Sequence, residues 1–328
     1  MPEPIPLVEV TRSGVVECRH RGSIAVVQDG RLVDAVGDPS TITPARSTAK
    51  PFQLLALIEQ GGVHAFSLSL PEIAVLASSH NAEAEQISTL RGILRKSGLD
   101  EADLRCGTPA PFSPGIAAAA ARDTGGTPRP IHHNCSGNHI GMLLLGTLLH
   151  LPLAEYGLVD HPIQQEILHE IALLLHTPAT AISTGIDGCG VPTYNLRLDA
   201  LATLYGRLAV ADSSPASSAL GLVQSAMMAH PFMVAGSGRV DTALMHAAPL
   251  LAKAGALGVH GLAIPSQRLG IAIKIESGAE EVSGCVAIEY LRKIGVLSDA
   301  VMPSLLPYWR RPVTNGLGQT VGEYHAIF

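Results

Sequence analysis

Hydrophobic and polar positions alternate along residues 5–36, in Leu-Val-Glu-Val, Ser-Ile-Ala-Val-Val and Leu-Val-Asp-Ala-Val, with a break at Gln28-Asp-Gly-Arg31. A period of two marks half-buried strands, and Asp-Gly between two such runs is a hairpin turn, so an antiparallel hairpin or meander is predicted. From about residue 52 to 225 the apolar spacing changes to three and four. Helices are predicted over 52–60, 71–76, 82–97, 115–123, 139–149, 162–176 and 198–208. In the sixth of these, Ile163, Ile167, Ile171, Leu174 and Leu175 line one face, and Asp160 is placed to cap its start. Another helix, 220–229, follows a Ser-rich connector at 211–218. Strand character returns over 258–264 and 269–276, and a helix at 281–294 and a short segment at 322–328 end the pattern.

Strands at both ends of a helical middle predict an α/β (α+β) fold. One antiparallel sheet is built from residues 1–51 and 226–328, and residues 52–225 form an inserted, mainly helical domain. The mean hydropathy of +0.28 is high. The longest apolar run, 140–153, is broken by His150 and Pro152 and falls short of the roughly 20 residues of a membrane span, so it reads as a buried helix. The opening Met-Pro-Glu-Pro-Ile-Pro has neither a basic nor an apolar leader segment, which sets the expected compartment as the cytoplasm. Net charge is -6 and the charges are well mixed, arguing against nucleic acid or a membrane surface as partner and for a small molecule. Five cysteines without a C-x-x-C pair read as thiols or ligands rather than a disulfide framework.

The chemistry centres on Pro44-Ala-Arg-Ser-Thr-Ala-Lys-Pro-Phe52. Ser47 and Lys50 stand three residues apart where a turn gives way to a helical run, so a hydroxyl and an amine share one face of the first turn. A serine becomes a nucleophile when a base within hydrogen-bond reach takes its proton, and an unprotonated lysine is such a base. Downstream, Lys253-Ala-Gly-Ala256 precedes the final strand pair, where small residues let a substrate lie against a strand edge. The Ala256 N–H joins that of Ser47 as a candidate oxyanion hole. Ser78-Ser79-His80-Asn81 suits either a helix cap or a second catalytic hydroxyl. His132-His-Asn-Cys-Ser-Gly-Asn-His139 and Gly185-Ile-Asp-Gly-Cys-Gly190 each hold one cysteine among glycines and polar groups. Cys135 and Cys189 together offer two thiolates to Zn²⁺, with a His or Asp completing the set, and Cys135 is also a candidate nucleophile.

Taken in order, Arg46-Ser-Thr-Ala-Lys-Pro-Phe-Gln53, Ser79-His80, Asn134-Cys-Ser-Gly-Asn-His139, Asp160-His-Pro-Ile-Gln-Gln165, Gly185-Ile-Asp-Gly-Cys-Gly190, Lys253-Ala-Gly255 and Gly270-Ile-Ala-Ile-Lys274 resemble the Rhizobium-type L-asparaginases, the asparaginase II sequence family. That resemblance implies a fold like those of serine β-lactamases and glutaminases, hydrolysis of L-asparagine through an acyl-enzyme, and a homodimer. It implies two linked Ser-Lys pairs, Ser47 with Lys50 and Ser79 with Lys253, and a substrate held by Arg46, His80, Asp187 and Ala256. It also implies a zinc ion on Cys135 and Cys189. The family's third metal-site residue is a lysine, and Asn138 stands there in this chain, so His139 or water is the alternative ligand. A lysine base predicts activity rising toward alkaline pH. The runner-up is a β-lactamase or penicillin-binding-like acyltransferase, which shares Ser-x-x-Lys. Glutaminase is a variant of the first reading, and a zinc-stabilised metabolite-binding protein is the non-enzymatic one.

Overall fold

The computed structural model describes residues 3–108, 128–211 and 218–328. The helix expected over 115–123 lies outside the described residues. The chain divides into two compact units, the first made of 1–48, 196–210 and 243–328 and the second of 49–195 and 211–242.

The first unit is built on an antiparallel sheet. Its strands are β1 (Ile5–Arg12), β2 (Val15–Gln28), β3 (Arg31–Val36), β7 (Leu251–Gly255), β8 (Val259–Ile264), β9 (Leu269–Ile275), β10 (Pro312–Thr314) and β11 (Thr320–Ala326). Their order is β10-β11-β1-β2-β9-β8-β7, with β3 beside β2, so both termini contribute to one sheet as the alternation predicts. The short β4 (Ile42–Pro44) follows β3. Every residue of β8, and every residue of β9 except Lys274, is buried. A strand buried along its whole length has both faces covered. One cover is the helix Leu198–Ala209, which packs on β2, β8 and β9; the other is Glu280–Lys293, which touches β1, β7, β8, β9 and β11. The first of these sits in the sheet's own unit, although the spacing along the chain groups it with the helical middle. Two pieces carry no clear periodicity: β7, made of small residues around Lys253, and the helix Met302–Trp309.

The second unit is mainly helical, as expected. In chain order the helices among the described residues are α1 (Lys50–Gln53), α2 (Leu55–Glu59), α3 (Gly62–Ala65), α4 (Leu70–Leu76), α5 (Ala84–Ser97), α6 (Ser136–Leu148), α7 (Pro162–Leu174), α8 (Leu198–Ala209), α9 (Ala219–Ala229), α10 (Pro231–Ala235), α11 (Val240–Ala247), α12 (Glu280–Lys293) and α13 (Met302–Trp309). The apolar run around Ile140 is α6, whose residues 136–146 are all buried. Among the described residues no helix is long and apolar enough to cross a membrane.

The start of α7 corrects the expectation for Asp160. The cap is His161, whose Nδ1 accepts from the Ile163 N–H at 3.2 Å, because Pro162 occupies the first helical position and moves the cap to the residue before it. A hairpin of β5 (Thr184–Ile186) and β6 (Pro192–Arg197) pairs Thr184 with Tyr194 and Ile186 with Pro192. Its turn, 187–191, carries Asp187 and Cys189.

Candidate active site

Ser47 lies in a 3-10 turn, Arg46–Ala49, that runs directly into α1. Pro51 favours a helix start there because its missing N–H is one the first turn leaves unused. In the first unit this turn is held from two sides. The Thr48 N–H donates to the Ala45 carbonyl at 3.2 Å, and the Tyr205 hydroxyl, from α8, donates to the Thr48 carbonyl at 2.8 Å. Arg46, one residue ahead of Ser47, has φ of +51°, a left-handed conformation uncommon for a residue with a side chain. Such an outlier persists where the surrounding structure over-determines it.

Strand β7 ends the sheet order, so it is an edge strand, and the turn bearing Ser47 lies along it. A Cβ on Gly255 would stand 3.3 Å from the backbone nitrogens of both Ser47 and Thr48, so only a residue without a side chain sits comfortably there. The small residues after Lys253 thus serve a close backbone approach. Lys253 is fully buried and its Nζ donates to the Ala254 carbonyl at 2.7 Å. Ala256 lies just past the strand, in the turn from β7 to β8.

The second unit gathers residues that lie far apart along the chain. Lys50 is buried, and its Nζ lies 2.8 Å from the Ser78 carbonyl, 3.0 Å from Ser79 Oγ, 3.5 Å from the Asn134 carbonyl and 3.2 Å from Cys135 Sγ. Three chain segments therefore meet at one amine. The pairing of Ser79 with Lys50 is a link that spacing does not suggest. Packing of α4 against α6 makes it possible: a Cβ on Gly137 would fall 2.1 Å from the Val75 carbonyl, so glycine alone lets the start of α6 approach the end of α4, where Ser78 and Ser79 emerge. Ser79 is then fixed by its N–H, which donates to the Val234 carbonyl at 2.9 Å.

Cys135 occupies the N-cap position of α6. Its thiol is held well below the usual thiol range, first by a hydrogen bond from Cys189, then by the Lys50 ammonium and by His133, with burial opposing. The helix N-terminus favours the same anion. Cys189 shifts the other way, raised by that hydrogen bond and by burial. The pair is thus one thiolate, Cys135, accepting from one thiol, Cys189. As donors for a metal, these two sulfurs lack a third partner of the usual kind: among the described residues no group of three or more His, Cys, Asp or Glu side chains is placed to hold an ion. Asn138 is buried on α6, and His139 Nδ1 is engaged by the Tyr156 hydroxyl at 2.5 Å.

His80 is fully buried. Its Nδ1 accepts from the Ala82 N–H at 3.0 Å and its Nε2 faces Ser136 Oγ at 2.8 Å. Because Ser136 Oγ gives its proton to the Ile131 carbonyl at 2.8 Å, the His80 proton resides on Nε2. Both ring nitrogens thus bind protein, and the imidazole braces the loop after Ser79. Asp187 accepts from its neighbour's Gly188 N–H at 2.6 Å at the hairpin tip.

Burial pushes both His80 and His139 down to about 3, from an ordinary 6.5. The unfolded chain takes up these two protons near pH 6.5, while the folded chain refuses them until about pH 3. Stability is therefore complete above about pH 6.5 and falls as pH drops through that window, by on the order of 1.4 kcal/mol per pH unit for each group. The melting temperature is expected to be lower at pH 5 than at pH 7.5, and an equal value at the two would show that these rings titrate normally.

An amidohydrolase is the class to which the chain is assigned, through a family model that matches nearly its whole length. That model, L-asparaginase II, matches residues 8–326, and the chain belongs to this family. No curated protein matches the chain. Among solved structures, it is similar to a β-lactamase from Mycobacterium bovis (12% identity, covering 83% of this chain and 94% of that one, TM-score 0.42). It is also similar to a putative β-lactamase from Bacteroides dorei (13%, 83% and 93%, TM-score 0.44) and to the octameric penicillin-binding protein homologue from Pyrococcus abyssi (16%, 84% and 75%, TM-score 0.43).

Proposed function

We propose that the protein hydrolyses the side-chain amide of L-asparagine to L-aspartate and ammonia through an ester on Ser47. The observation that carries this reading is Lys50: a buried amine three residues after Ser47 in one continuous helical run, hydrogen-bonded to Ser79 Oγ and beside the Cys135 sulfur. Family membership supports an amide as the substrate class.

Ser47 Oγ attacks the amide carbonyl carbon as Lys50 Nζ, once it has passed its own proton to the Cys135 thiolate 3.2 Å away, takes the hydroxyl proton. The tetrahedral oxyanion is met by the Ser47 N–H and the N–H of Ala256. The carbon–nitrogen bond breaks, and the nitrogen leaves as ammonia after receiving a proton relayed through Ser79, with Lys253 sharing that role. Water then attacks the ester, aspartate departs and Ser47 regains its proton. Before it gives up that proton, the Lys50 ammonium is held in place by the charge of the Cys135 thiolate, and Asp187 takes the substrate amino group. No step is routed through a metal.

The test is ammonia release by the purified protein from L-asparagine and L-glutamine, with and without a chelator, beside hydrolysis of a penicillin. Ammonia from asparagine that persists with chelator is the expected result. Penicillin turnover without ammonia from either amino acid would transfer the site to the β-lactamase-like alternative. Because the two side chains differ by one methylene, discrimination between them is expected to be only about 10- to 200-fold in kcat/KM.

A further inference from the structure

Lys274 is the single residue of β9 that is not fully buried, on a strand otherwise covered on both faces. Residues opposed across antiparallel strands share a face, and so do residues two apart on one strand. Gly255 opposes Val259, and Val259 opposes Lys274; Lys253 opposes Gly261, and Gly261 opposes Ala272. Lys253, Gly255 and Lys274 therefore lie on one face of the sheet. It is the face over which Tyr205 lies, since a Cβ on Gly261 would strike that ring, and the face along which the Ser47 and Thr48 nitrogens approach Gly255. The Lys274 ammonium donates to the Leu257 carbonyl at 2.5 Å, in the turn between β7 and β8, which fixes it at the end of the row that Gly255 begins.

We infer that Arg46 and Lys274 form a two-cation subsite for the α-carboxylate of the substrate, with Lys274 as a specificity-determining residue. This rests on the amidohydrolase reading and adds to it which end of the molecule is gripped, and by what. Arg46 immediately precedes Ser47, whose backbone nitrogen approaches Gly255 on the same face of the sheet as Lys274, so two cationic side chains belong to one end of this row. Burial lowers Lys274 from the ordinary lysine range, and the Arg46 charge lowers it further. A carboxylate between them relieves that repulsion and replaces the water each has lost. The location suits the chemistry. In asparagine two carbons separate the carboxylate from the amide carbonyl carbon, and Arg46 is the residue joined to Ser47. An α-carboxylate held there leaves the amide to reach the serine.

The experiment compares Lys274→Met and Lys274→Arg with the wild-type protein on two substrates. One is L-asparagine; the other is β-alaninamide, which is asparagine without its α-carboxylate. The ratio of kcat/KM for asparagine to that for β-alaninamide is expected to fall about tenfold or more in Lys274→Met, through a higher KM for asparagine, and to recover most of its value in Lys274→Arg. A ratio that does not change in Lys274→Met overturns the subsite, whatever the two rates do together, since general damage to the turn lowers both. If the wild-type protein hydrolyses neither amide, the amidase reading falls separately. The subsite is then tested by calorimetric titration with L-aspartate and β-alanine. Aspartate binding that is lost in Lys274→Met supports it. Equal binding in the two proteins, or none to the wild type, overturns it.

Discussion

Replacing Ser47 by alanine is expected to abolish ammonia release from asparagine while leaving the protein folded. Removal of an activated serine nucleophile lowers kcat by many orders of magnitude, about 10⁶ where it has been dissected, and a loss of at least about 10³ is expected here. The stability cost should stay small, within about 1 kcal/mol, because the turn is held by backbone groups that the substitution leaves alone. Those are the Thr48 N–H on the Ala45 carbonyl and the Tyr205 hydroxyl on the Thr48 carbonyl. Steady-state ammonia assays and thermal unfolding measure the two halves. A second readout is an ester adduct on the peptide containing Ser47 after rapid acid quench. Full activity in Ser47→Ala would move the nucleophile elsewhere, and Cys135, already a thiolate, would be the next residue to replace.

Much of the scaffold around that serine is legible in the order of apolar and polar residues. The alternation over residues 5–36 specifies β1 to β3, and the apolar runs around 258–276 specify β8 and β9, because strands print a period of two or an unbroken apolar run. The three- and four-residue spacing does the same for α5 to α7 and α12. Strand β7 is not legible, since Leu-Ala-Lys-Ala-Gly is both short and small, suited to the close approach of Gly255 to Ser47 rather than to β propensity. The spacing reveals helix α8 but groups it with the wrong neighbours, because periodicity shows that a face is buried and not what buries it. Its glycine and tyrosine side, at Gly206 and Tyr205, fits against β8 and β9 of the sheet.

The site shows the same division. Ser47 and Lys50 are readable as candidates because a three-residue spacing at the start of a helical run is itself a local pattern. The meeting of Lys50 with Ser79, Asn134 and Cys135 spans up to 85 positions, and no local pattern encodes it. Gly137 is the only local hint, a glycine at the start of an otherwise strongly apolar helix. The engagement of both His80 nitrogens is equally hidden, because it depends on Ser136, which is itself oriented by the Ile131 carbonyl.

Lys50 is the residue whose replacement should do the most combined damage, and two substitutions separate its roles. In Lys50→Met the buried Cys135 thiolate loses a cation 3.2 Å away, and the Ser78 and Asn134 carbonyls lose a donor. Breaking a buried ion pair by deleting one partner costs about 3–5 kcal/mol, unless the survivor neutralises itself. Cys135 can do so by taking up a proton. The expected result is therefore a lower melting temperature together with a loss of thiolate ultraviolet absorbance at neutral pH, and activity reduced by about 10²–10⁴ with removal of the general base. Lys50→Arg restores the charge but supplies a guanidinium that does not deprotonate in proteins. It should recover most of the stability and the thiolate signal, yet none of the catalysis. If Lys50→Arg regained activity, the amine would be acting as a fixed charge and the proton acceptor for Ser47 would lie elsewhere, with Lys253 the remaining buried amine on the sheet.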